Sequence, residues 1–240
     1  MSKIYKHDYV DIKIAELIGT YNENGVQTGL YDSVGYGKVC CNSNYSGATF
    51  VGCMLAFLQQ ATGINIFIFY SNTLFTNLSN EVSLFTTNFT SGMMGITDFI
   101  FSIVGCVMLG YFGRKTIMIY GNLIMAGSLV ALGIFTLYGW TVFEFGAIMT
   151  FHMAFQASSG PITYLYMAEI MEDKGISIGN FIMCVSTFLV AAIFPFVAVN
   201  LDQATFGYIW MCTGCITGLG AFFVALFMQE TKGLSLDQVK

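Results

Sequence analysis

The chain has 240 residues, 55% of them hydrophobic and 10% charged, with a net charge of −5. A soluble domain carries about 25% charged residues, so this composition and a mean hydropathy of +0.68 exclude an ordinary water-soluble globule and point to lipid. The 9 Lys and Arg residues are too scattered for a nucleic-acid surface. Nothing offers the catalytic triad, metal cluster or phosphate-binding glycine loop of an enzyme, and neither metal nor cofactor is expected.

Residues 1–46 form a polar N-terminal segment with basic residues but no apolar core long enough for a cleavable signal. Within it "VDIKIAELIGTY" has a ragged apolar face and predicts a short helix at the membrane surface or against a partner. Windows of about nineteen residues then give candidate spans at 47–72, 90–112, 116–138, 142–168, 177–200 and 206–228, each able to cross about 30 Å of hydrocarbon. Residues 229–240 form a C-terminal tail. Apolar runs such as "TDFIFSIVGCVML" do not alternate, which argues against a transmembrane barrel. The expected fold is an all-α transmembrane domain of six helices over 47–228.

The basic residues orient it. Lys3, Lys6, Lys13 and Lys38 precede the first span, Arg114 and Lys115 separate the second from the third, Lys174 separates the fourth from the fifth, and Lys232 and Lys240 follow the sixth. All fall on one side, which the positive-inside rule makes cytoplasmic, or the matrix side if the membrane is an organelle's inner membrane. Both termini lie there. The opposite loops, 73–89, 139–141 and 201–205, hold Glu81 and Asp202 but no basic residue. Asn77 and Asn88 are N-glycosylation acceptor sequences in the first of these loops. Glycans there would indicate the secretory or plasma-membrane system, and bare asparagines an organelle.

The Cys 7 of the chain do not form a disulfide framework. Cys53, Cys106, Cys184, Cys212 and Cys215 fall within spans, where a thiol serves as a small apolar group. Cys40 and Cys41 lie on the positive side.

Polar side chains within the spans mark a candidate site. In "LAFLQQATGINIFIFY" (55–70), Gln59 and Gly63 share a helical face with Gln60 beside it, while Asn65 is turned about 120° away in an ideal helix. A break at Thr62–Gly63 would relax that geometry, and discontinuous helices of this kind line solute sites in transporters. The fourth span places His152, Gln156, Ser159, Gly160 and Thr163 on one side, and Pro161 favours a kink. The fifth adds Ser177, Asn180, Cys184 and Thr187. These uncharged donors and acceptors suit a neutral polyhydroxylated solute, although intramembrane amides and hydroxyls also serve to join helices. Asp98, costly at this depth unless paired or hydrated, points to a wet cavity or a protonated state, with His152 as a candidate partner.

Four spaced motifs resemble the C-terminal half of the sugar porter family of the major facilitator superfamily. They are "QQATGINIFIFY" (59–70), "GYFGRKT" (110–116), "GPITYLYMAE" (160–169) and "ETKGLSLDQV" (230–239). The resemblance implies that Gln59, Gln60 and Asn65 hydrogen-bond sugar hydroxyls, that Asp98 stands where an asparagine reaches the same sugar, and that Tyr164 replaces a tryptophan against the ring. His152, Gln156, Thr163 and Thr187 are further candidate lining residues. Arg114, Glu169 and Glu230 are implied to form the charge latch of the inward gate. The chain departs from the pattern at Ala56 and Thr187 in the site, and at Gly110, Ile176 and Gln229 around the latch.

Family members carry two such six-helix halves with the solute held between them, and this chain carries one. Alone, its polar face is expected to be poorly solvated. It therefore predicts either a hexose-translocating half-transporter, paired with a second half or with a copy of itself, or a non-transporting accessory subunit of a large membrane complex, with protein or lipid against that face. A fragment of a full transporter is the third possibility.

Overall fold

The computed structural model describes residues 36–41, 43–69, 87–200 and 202–233. Side chains at 195–200 and at several other helix-end positions fall outside the description. The leader helix expected at 10–21, Asn77 and the end of the C-terminal motif also lie outside it.

The described residues form helices and their connections, with no strand among them. In chain order the helices are α1 (Tyr36–Cys41), α2 (Ser43–Ala61), α3 (Thr87–Tyr111), α4 (Arg114–Tyr138), α5 (Thr141–Ala157), α6 (Ser159–Ile170), α7 (Asp173–Asn200) and α8 (Gln203–Phe227). Four stretches are long and apolar enough to cross a membrane: Phe89–Tyr111, Arg114–Tyr138, Asp173–Phe194 and Ala204–Phe227. This is a multi-pass, membrane-embedded chain. Asn88, expected in a loop, instead falls in the first turn of α3.

The other two expected spans are each interrupted. After α2, Thr62 and Gly63 form a turn and helix resumes over 64–69. Gly63 has φ +80°, a left-handed conformation that glycine adopts without the steric penalty of a Cβ. The span expected at 142–168 divides into α5 and α6 at Ser158, which has φ −132° and ψ −89°. Pro161 supplies the cause. It has no N–H for the carbonyl of Ala157, and its ring crowds that carbonyl, so the helix breaks about one turn before the proline.

Small residues bring the long helices together. A Cβ on Gly133 of α4 would lie 2.5 Å from the Gly207 carbonyl oxygen of α8, and one on Gly207 would lie 2.9 Å from the Gly133 carbonyl oxygen. In lipid, such close backbone approach supplies the dispersion contacts that hydrophobic exclusion supplies in water. Beside this seam, Phe67 stacks on Trp210 with ring centroids 4.8 Å apart, and both join Met125, Leu129, Leu132 and Phe151 in a buried cluster. A second cluster gathers Leu55, Met118, Ile162, Tyr166, Met171 and Met228.

At the α4–α5 turn, Gly139 closes α4 in the left-handed conformation with φ 68°. Tyr138, Trp140 and Phe143 crowd together around the turn and are exposed, as expected of an aromatic belt at a membrane–water boundary.

Candidate functional site

The two broken helices meet through Gln59. Its Nε2 donates to the carbonyls of Ser159 (3.2 Å) and Gly160 (3.3 Å) at the start of α6. Its Oε1 is buried with no hydrogen-bond partner among the described residues. The Thr62 hydroxyl donates to the Gln59 carbonyl at 2.7 Å, steadying the turn that interrupts α2.

Because Gly63 turns the chain, Asn65 swings back toward Gln60. The Asn65 Nδ2 donates to Gln60 Oε1 and, at 3.2 Å, to the Thr187 hydroxyl on α7. Thr187 in turn donates to Gln60 Oε1 at 3.3 Å. Part of the expected polar face is thus paired within the protein, while Gln59 Oε1 is left without a partner among the described residues. Gln59, Gln60 and Asn65 are all buried, and Gln60 and Asn65 satisfy much of their hydrogen-bonding capacity with each other and with Thr187.

A polar ladder joins α3 to α5. Asp98 Oδ1 lies 3.0 Å from His152 Nδ1, and one turn further along both helices Ser102 donates to Gln156 Oε1 at 3.5 Å. The equal offset in residue number means that the two helices run parallel here. The ladder ends at Gly105, where an added Cβ would lie 2.9 Å from the Ala157 carbonyl oxygen, the acceptor deprived of its usual partner by Pro161. His152 is 1% exposed, whereas the Asp98 side chain is 31% exposed. Thr163 is buried and bonds the Ser159 carbonyl of its own helix at 2.8 Å. Tyr164 is 53% exposed on α6.

The three charged residues expected in a latch do come together. Arg114 pairs with Glu169 at 2.7 Å, with side-chain exposures of 20% and 15%. Glu230 takes a different part: its carboxylate accepts from the backbone N–H groups of Arg114 (2.8 Å) and Lys115 (3.1 Å). It thus caps the positive end of the α4 dipole. Gly113 leaves room for this contact, since a Cβ there would lie 2.0 Å from Glu230 Oε2. Thr231 holds the second Glu169 oxygen at 2.6 Å, and Lys232 donates to the Tyr111 carbonyl at 2.8 Å.

Sequence reasoning missed Ser102, Thr231 and the carbonyls bonded by Gln59. The i, i+4 spacing of Asp98 with Ser102 and of His152 with Gln156 was a readable signal, but matching the two pairs requires the packing of α3 on α5. Among the described residues, no three His, Cys, Asp or Glu side chains lie close enough to hold a metal ion.

Interrupted helices in contact at a polar centre, set among long apolar helices, are an arrangement found in membrane-transport proteins. The whole chain, residues 1–240, matches the family described as "Sugar (and other) transporter", and the protein belongs to that family. It is 28% identical over 220 residues to the facilitated trehalose transporter Tret1 of Bombyx mori, covering 85% of this chain and 41% of that one. It is 26% identical to the D-xylose-proton symporter of Escherichia coli K12, covering 81% of this chain and 41% of the relative. A crystal structure of a double-tryptophan XylE mutant superposes with a TM-score of 0.73 at 26% identity, covering 80% of this chain and 42% of that one. The chain thus spans about two-fifths of the length of these relatives. They are transporters, consistent with a non-enzymatic role.

Proposed function

We infer that the chain is the C-terminal six-helix half of a hexose transport pathway, working by alternating access against a second six-helix half or a second copy of itself. The observation that carries this reading is the Gln59 bridge between the two broken helices. It sets a buried, partly unsatisfied amide at the junction of the two broken helices, and on this reading a rearrangement of those helices opens it to a solute hydroxyl. Gln59, Gln60 and Asn65 would hold the hexose, with Asp98 and Tyr164 reached from the open side and His152, Gln156, Thr163 and Thr187 behind them. The Arg114–Glu169 pair and the Glu230 cap would form in the state closed toward the basic side and part in the other. Their worth is then a difference between states. On this reading both termini face the cytoplasm or matrix, and lipid covers the outer helices.

One observation favours a second reading. Gln60, Asn65 and Thr187 satisfy one another inside the chain, so this network persists without a water-filled cavity. That suits a non-transporting accessory subunit of a large membrane complex. The discriminating experiment measures binding of radiolabelled glucose to the protein in its native assembly, with wild type and Gln60→Ala compared. Transport predicts saturable binding, weakened about tenfold by the substitution through loss of a hydrogen bond and an unpaired partner, with the assembly still folded. Unchanged affinity in the variant would remove the site assignment, and absence of saturable binding in the wild type would favour the accessory role.

A further inference from the structure

Between α3 and α4, with α5 as its floor, runs a groove of about 400 Å³. Phe101 and Phe112 of α3 wall one side, Tyr120 and Ile124 of α4 the other, and the small side chains of Ala154 and Ala157 line the floor. The groove opens to the outside of the protein, for Phe112 is 52% exposed, Tyr120 64% and Ile124 52%. Its floor is a different face of α5 from the one that carries His152 and Gln156.

The walls offer little that is polar. The hydroxyls of Thr150 and Ser158 donate to the Gly146 and Ala154 carbonyls of α5, and no Asp, Glu, Lys or Arg occurs in 101–112, 116–124 or 150–157. A sugar or an extended peptide placed here would give up hydrogen bonds to water without replacing them. Size excludes a further helix. Residues 101–112 run about 16 Å at 1.5 Å per residue. A volume of about 400 Å³ spread over that length leaves a mean cross-section of about 25 Å², against roughly 80 Å² for a helix about 10 Å across. A single hydrocarbon chain is narrow enough, has no polar group to satisfy, and crosses about 15 Å in one leaflet, half of the hydrocarbon core. Left empty, the walls would forgo the dispersion contacts that such a chain supplies.

The charged end of the groove selects the headgroup. The walls reach the α3–α4 turn at Phe112 and Thr116, on either side of Arg114 and Lys115. The acids at this end are engaged: Glu169 pairs with Arg114, and the Glu230 carboxylate accepts from the backbone N–H groups of Arg114, Lys115 and Lys232. Lys232 Nζ donates to the Tyr111 carbonyl at 2.8 Å, one residue from Phe112, and that bond uses one of the three donors of an ammonium group. Basic pockets between membrane helices suit anionic headgroups. We propose that this groove binds one anionic phospholipid, with an acyl chain lying between α3 and α4 and its phosphate at the ammonium groups of Lys115 and Lys232. The site stands apart from the hexose pathway, because no side chain in it holds the solute or belongs to the Arg114–Glu169 pair.

The test is photocapture in nanodiscs of equimolar phosphatidylglycerol and phosphatidylcholine, with the protein in its native assembly. Tyr120→benzoylphenylalanine captures whatever lies at the rim of the groove, and peptide mass identifies it. Phe188→benzoylphenylalanine, at a 69% exposed position on α7, reports ordinary lipid contact. The expected result is phosphatidylglycerol captured in preference to phosphatidylcholine at position 120 and no such preference at position 188. A lysine at an anionic headgroup is worth about fivefold in affinity, so Lys232→Gln should cut the preference by about that factor. Val104→Trp fills the groove from the α3 wall and leaves both lysines in place; it should reduce the pattern at position 120 to that at position 188. Equal patterns at the two positions in the otherwise unaltered chain, or a preference indifferent to Lys232→Gln, overturns the proposal. Capture of a polypeptide at position 120 also overturns it and assigns the groove to a protein partner. Should the Tyr120 variant fail to assemble, Ile124→benzoylphenylalanine on the same wall gives the same readout. Glucose enters none of these measurements, so failure here is separable from failure of the transport assignment.

Discussion

Gly133→Ala should loosen the close backbone seam between α4 and α8. The added methyl would meet the Gly207 carbonyl oxygen at 2.5 Å and Met211 Cγ at 2.5 Å. Methionine can rotate away, but the carbonyl belongs to the α8 backbone. Carbon–oxygen contacts of this kind settle near 3.3 Å, so α4 and α8 must separate locally by roughly 0.8 Å. Overpacking of this sort costs about 1–3 kcal/mol, and at about 2–4 °C per kcal/mol for a chain of this size the thermal midpoint should fall by several degrees. Tryptophan fluorescence during a thermal scan in mild detergent provides the assay, since Trp210 is buried beside the seam. Gly127→Ala on the same helix is the control, because nothing lies within 4 Å of its added Cβ; helix propensity alone should leave it unchanged or more stable. Equal midpoints for the two variants would refute close packing at Gly133.

Two further substitutions probe the polar contacts. Thr187→Val removes the hydroxyl shared by Gln60 and Asn65 and should cost about 1–3 kcal/mol through partners left unsatisfied. Thr187→Ser should restore the loss, and a valine variant as stable as wild type would show that the network contributes nothing. A double-mutant cycle of Arg114→Gln with Glu169→Gln should give a coupling of about 0.5–3 kcal/mol, reduced but not eliminated by salt because both side chains are mostly buried. Strictly additive single-mutant effects would mean that the 2.7 Å contact is energetically idle.

The helical, membrane-embedded character was legible because it rests on long apolar runs and few charges. The Thr62–Gly63 turn and the break before Pro161 were legible too, since they follow from local chemistry: a glycine free to take positive φ and a proline lacking its N–H. What the sequence concealed was where the polar groups turn. A helical wheel places Gln60 and Asn65 on different faces, and only the intervening turn closes them onto Thr187, more than a hundred residues away. Glu230 was expected among the latch charges, but its use as a cap on α4 depends on Gly113 having no side chain.

The most direct test of the central claim is extraction of the protein from its native membrane in mild detergent, followed by native mass analysis of everything that co-migrates with it. The half-transporter account predicts a homodimer or a one-to-one complex with a second six-helix half. Stable residence in a large multi-subunit complex would contradict it and reassign Gln59, Gln60, Asn65 and Asp98 to helix joining and interface contacts.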